Sequence, residues 1–183
     1  MAVSTAQPET LKEAPGANPT AWLQIVAFAE ALLLSLWLGS MIFFSFAVAP
    51  TAFAVLPGRE LAGMVVTSAI SKVEMLGLIT GPLLILIQLA TWRMRRVTNR
   101  GKAVRLILLC VMIAMAALSR FWISAALVSL RLAMGGVIDN VPVTNPLRAQ
   151  FNDLHRYSVA LMGTAMLAGL AVLFLTVRSW LKR

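Results

Sequence analysis

The 183-residue chain predicts an all-α fold, an integral membrane four-helix bundle with both termini cytoplasmic. Three observations predict it. Hydrophobic residues make up 60% of the chain and charged residues only 13%, too apolar a balance for an ordinary soluble domain. Residues 31–49, 75–92, 106–130 and 158–177 each run for about a bilayer's worth of positions, and Arg120 is the one charge that interrupts them. Between the second and third runs, residues 92–105 carry Arg93, Arg95, Arg96, Arg100, Lys102 and Arg105 and no acid. A short basic loop of this kind stays in the cytoplasm, which sets the orientation of the rest.

Residues 1–20 are polar, with Pro8, Pro15 and Pro19, and read as a disordered cytoplasmic tail. Residues 21–183 read as one membrane domain. Its first span covers residues 22–50, with Trp22 at the inner interface. Ala27, Ala31, Ser35 and Gly39 recur every four residues, a small-residue stripe along which another helix can approach closely. Glu30 lies roughly two turns inside, where a lipid-facing charge costs about 2.5–3.5 kcal/mol. It therefore faces the bundle, is protonated, or lies near the headgroups, and it is a candidate proton site.

Pro57-Gly58 marks an outer turn, and residues 59–71 read as a surface helix or an extension of the next span. Ser71 and Glu74 have capping-box spacing in front of the second span, residues 73–94. Glu74, Gly77, Gly81 and Gln88 then share one helical face, where Gly77 and Gly81 permit close packing, and Pro82 suggests a kink. The third span, residues 103–133, holds Arg120 about two thirds of the way across, followed on the same face by Ser124 and Arg131. Asn145-Pro146 has the form of an N-cap with proline at the first helical position, opening a fourth span over residues 146–181. Its first turns, with Arg148, Asp153, His155 and Arg156, are too polar for lipid.

Arginine in a span needs a partner or water, because it stays charged. Depth places Glu74, Arg120 and His155 near one level, with Arg131 and Arg148 above them. This polar cluster reads either as a structural ion pair or as a ligand, ion or proton site. His155, Ser158, Met162 and Met166 share a face of the fourth span, and Met112, Met115 and Ser119 a face of the third, a weak donor set for Cu(I). The same residues are more simply apolar filling, and a haem would lack a second histidine. No cofactor or metal is therefore expected. The lone Cys110 excludes disulfides and Cys-based zinc sites. The formal net charge of +9 gathers in the central loop and in Arg178, Lys182 and Arg183, so it points to topology and anionic headgroups rather than nucleic acid.

Two stretches resemble a known family. Residues 37–57, WLGSMIFFSFAVAPTAFAVLP, resemble the first-helix signature of the transmembrane-protein-205-like family, bacterial members of which carry a domain of unknown function. Residues 147–161, LRAQFNDLHRYSVAL, are similar to its fourth-helix signature, with Arg148, Phe151, His155 and Ser158 in matching places. Arg120, followed by an aromatic residue, falls where the family has a third-helix arginine. The resemblance implies a four-helix membrane protein with no agreed activity. Before the second span this chain reads SAISKVEML where the family has an aromatic, proline-containing segment, so Glu74 gains no support from it.

No GxSxG, HExxH or phosphate loop is present, and there is no second histidine to complete a zinc site. The expectation is a small protein of the bacterial inner membrane, transport- or resistance-related with a site around Arg120 and His155. A structural or accessory subunit of a larger complex is the alternative, and a Cu(I)- or haem-binding protein a second. Its expected partners are the lipid bilayer and either further copies of itself or other membrane subunits.

Overall fold

The structure, a computed structural model, describes residues 19–94, 98–135 and 138–181. The reading of residues 1–18 as a disordered tail lies outside the described residues, as do Arg95, Arg96, Lys182 and Arg183. All regular structure in the described residues is helical, and four helices are long and apolar enough to cross a membrane.

The first span is α1 (Pro19–Phe43), a π-helical turn (Phe44–Val48) and α2 (Ala49–Val55). It runs on past Pro50, where the sequence suggested an end. Proline lacks a donor and crowds the carbonyl four residues back, and the wider π turn just before it accommodates both. The second span is a single helix, α3 (Arg59–Ala90), which starts after Gly58 at φ 108° and passes through Pro82 without a break. Residues 59–71 are thus an extension of the second span, one of the two readings the sequence left open, and the capping role of Ser71 is corrected. Ser71 and Glu74 lie mid-helix, and their side chains bond to another helix instead of capping this one.

The third span is α4 (Asn99–Leu118), a second π turn (Ser119–Ile123) and α5 (Ser124–Ala133). It begins earlier than residue 103, because the Thr98 hydroxyl caps it by accepting a hydrogen bond from Gly101 N at 3.2 Å. Lys102 and Arg105 are thereby drawn out of the loop into a buried face. The fourth span is α6 (Pro146–Leu181), opened by Asn145 Oδ1, which accepts from Leu147 N at 2.9 Å.

The spans pack in chain order around a ring: α1 on α3, α3 on α4, α4 on α6 and α6 back on α1. Leu34, Trp37, Leu38 and Met41 of α1 meet Leu84, Leu109, Met112 and Val172 at the centre. Gly77 and Gly81 form the notch for this core. A Cβ at Gly77 would strike the Trp37 indole, and one at Gly81 would strike Ile113. Gly39 has open space where its Cβ would be, and Ser35 is exposed, so the lower half of the α1 small-residue stripe packs against nothing in the bundle. Phe28, Phe46, Phe121, Trp122 and Phe174 point outward, as suits a bundle whose solvent is lipid.

Candidate functional site

Buried polar side chains fall at two levels. The first lies at the end of the bundle nearest the basic loop. Glu30, fully buried on α1, forms a salt bridge with Arg105 of α4, itself only 6% exposed. Beside it Gln88 Nε2 donates to the Lys102 carbonyl at 2.8 Å, and Lys102 Nζ donates to the Trp92 carbonyl at 2.7 Å. The Lys102 ammonium also sits 5.7 Å from the Trp92 ring centre, within cation–π range. A guanidinium and a carboxylate together remove most of the cost that either would incur alone in a low-dielectric interior.

The second level lies 14 residues further along α3, about 21 Å by helical rise. Here Glu74 is 4% exposed. Its Oε1 accepts from Ser119 Oγ at 2.5 Å and from Ser124 Oγ at 3.4 Å. Its Oε2 is buried with no hydrogen-bond partner. Arg120, half-buried, donates from Nη1 to Ser71 Oγ at 2.6 Å, one turn from Glu74.

A small cavity of about 20 Å³ adjoins Glu74, lined also by Trp37, Met41, Met115, Ser119 and Met162. That is room for about one water molecule. Both π turns lie beside it. Ser119 opens the second, and Ser45, inside the first, donates from Oγ to Met162 Sδ at 3.1 Å. Single π turns widen a helix and displace its side-chain register, which is how they aim side chains at functional sites.

The sequence grouped Glu74, Arg120, His155, Arg131 and Arg148. The fold brings Glu74 and Arg120 to neighbouring positions. It does not bring the others to them: among the described residues no hydrogen bond or ion pair joins His155, Arg131 or Arg148 to either. His155 is exposed on α6. Arg131 lies against Gly63 and 5.9 Å from the Phe151 ring centre, and Arg148 Nη1 donates to the Val141 carbonyl at 2.5 Å. Of the proposed soft-metal donors, Met162 and Met166 lie within reach of Ser45, whereas His155 faces outward.

Sequence reasoning set Ser119 on one face with Met112 and Met115 but missed Arg105 as an interior residue, although a signal was present. Lys102, Arg105, Leu109, Met112 and Ser119 recur at spacings of three, four or seven, and all are buried. The charge of the first two concealed the period. Among the described residues no group of three or more His, Cys, Asp or Glu could hold a metal ion.

Four apolar helices around buried polar levels define a multi-pass membrane protein. More closely, residues 32–135 match the family described as "Domain of unknown function (DUF4149)", and the chain belongs to that family. The match covers the first three spans from residue 32 on, and with them the Glu74 level and Gln88, Lys102 and Arg105 of the other level, while Glu30 lies just before it. No curated protein and no solved structure matches the chain.

Proposed function

We propose that the chain is a transport-related protein of the bacterial inner membrane, with cytoplasmic termini, in which Glu74 takes up and releases a proton or a small cation. The observation that carries this reading is Glu74 Oε2, a buried carboxylate oxygen without a partner beside a cavity. A buried acceptor left unsatisfied costs about 1–3 kcal/mol, more when charged, and native interiors rarely retain one without a use. A proton on that oxygen, or a cation against it, removes the cost. Exchange of either is the elementary step of coupled transport. Arg120 holds compensating positive charge nearby and would attract an anionic group from the outer side. The basic loop favours the cytoplasmic placement of the termini. Resemblance to the transmembrane-protein-205-like family fits the same four-span architecture and contributes no activity.

The test is flux in reconstituted vesicles carrying a trapped pH dye and, in parallel, a trapped monovalent-cation dye. Wild-type protein should carry a flux that Glu74→Gln abolishes and Arg120→Ala reduces. Equal flux from wild type and Glu74→Gln, or none from wild type, refutes the reading.

A second reading, an accessory or self-associating subunit, is favoured by the uncovered Ser35–Gly39 face of α1. Gly39→Leu should then shift the protein toward monomer in mild detergent. A monomeric wild type removes this alternative.

A further inference from the structure

We infer that the cavity beside Glu74 is a binding site for a soft monovalent metal ion, of the copper(I) or silver(I) kind, held by thioethers and one carboxylate. The inference rests on the reading above that Glu74 binds a cation, and it names the cation. Met41 of α1, Met115 of α4 and Met162 of α6 line the cavity together with Glu74 of α3, so each of the four spans supplies a potential ligand. Methionine serving only as apolar filler needs no acid beside it. Here the acid is 4% exposed, lines the same cavity, and has one oxygen without a partner.

Donor chemistry selects the ion. Calcium takes six to eight oxygens, and magnesium an octahedron of oxygens and waters. Among the side chains that line it, this cavity offers oxygen only from Glu74 and Ser119, fewer than either hard ion takes. Its volume of about 20 Å³ admits about one water-sized body. Thioethers are soft ligands that favour copper(I) over hard cations. Charge selects the valence. A monovalent ion adds one positive charge beside Glu74 and the Arg120 guanidinium at hydrocarbon depth, a divalent ion two, and the smaller excess costs less. Ser45 contributes by positioning: its hydroxyl bonds to one side of Met162 Sδ at 3.1 Å and leaves the sulfur a second lone pair for a ligand.

The experiment uses full-length protein in mild detergent with Cys110→Ser, since Cys110 is exposed and a thiol would itself capture these ions. Silver(I) is titrated as a redox-inert probe, and bound metal is counted by elemental analysis after desalting. Copper(I) affinity is then measured anaerobically against a chromophoric chelator. One equivalent should bind, and it should quench fluorescence in a Trp37-dependent manner, so that Trp37→Phe lacks the response. Met115→Leu and Met162→Leu conserve volume and keep the fold. Each should lower affinity tenfold or more, as should Glu74→Gln. Absence of metal from the Cys110→Ser protein, or undiminished binding by both leucine variants, overturns the inference. The two readings fail separately. Glu74-dependent proton flux without silver binding removes the metal site and keeps the transport reading, and silver binding with flux unchanged in Glu74→Gln does the reverse.

Discussion

Deleting the Arg105 guanidinium is the sharpest test of how this bundle tolerates charge. Glu30 is fully buried and Arg105 nearly so, and they meet from α1 and α4, which face each other across the ring. Arg105→Met keeps most of the stem volume and leaves the Glu30 carboxylate without its guanidinium. Breaking a buried pair from one side costs about 3–5 kcal/mol, because the remaining charge stays desolvated. At about 1.4 kcal/mol per decade, the folded-to-unfolded ratio should fall roughly a hundredfold to several thousandfold. Replacing both members, as Glu30→Leu with Arg105→Met, exchanges the pair for apolar packing and should recover most of that loss. The assay is unfolding in mixed micelles at increasing denaturing-detergent fraction, read by helical circular dichroism, with all three variants in one double-mutant cycle. A loss under about 1 kcal/mol for Arg105→Met would falsify the assignment of this pair as the bundle's electrostatic closure. So would a double variant as damaged as the two singles summed.

Gly77→Leu drives a side chain into the Trp37 indole and should cost about 1–3 kcal/mol with a shift in tryptophan emission, whereas Gly39→Leu should leave monomer stability within about 0.5 kcal/mol. His155→Ala should leave both the unfolding midpoint and the vesicle flux unchanged, because the imidazole is exposed and away from Glu74; a lost flux would restore His155 to the site. Thr98→Ala should cost about 1 kcal/mol and speed amide exchange in the first turn of α4.

The four spans were legible because lipid imposes a length: an apolar run must cross the hydrocarbon, and its backbone must satisfy itself as a helix. The role of Ser71 and Glu74 within α3 was not. Ser71 and Glu74 have the spacing of a cap, and spacing alone cannot show that Arg120 and Ser119 claim those side chains from another helix. Glu30 stood out as an anomaly, but its partner did not. Arg105 contributes to the basic-loop topology signal and also lies on the buried face of α4, and the first role hid the second. His155 was placed by depth alone. Depth fixes a level in the membrane, while the direction around the helix decides contact, and α6 turns that residue outward.

The two buried acids divide the labour of the fold. Glu30 has a guanidinium across the ring, so its charge is compensated within the chain, and that end of the bundle is closed by its own residues. Glu74 has hydroxyls on one oxygen and, among the described residues, no hydrogen-bond partner on the other, and the proposed exchange of a proton or cation is placed there. Between them lies the apolar belt of Leu34, Trp37, Leu84 and Leu109, which keeps the two levels from sharing a partner. Stability should therefore respond to Arg105 with little change in what binds at Glu74. Ligand response should follow Glu74 and its neighbouring methionines with little change in unfolding. If substitutions at either level moved both properties together, the levels would be one coupled network, and the separate role given to Glu74 would be lost.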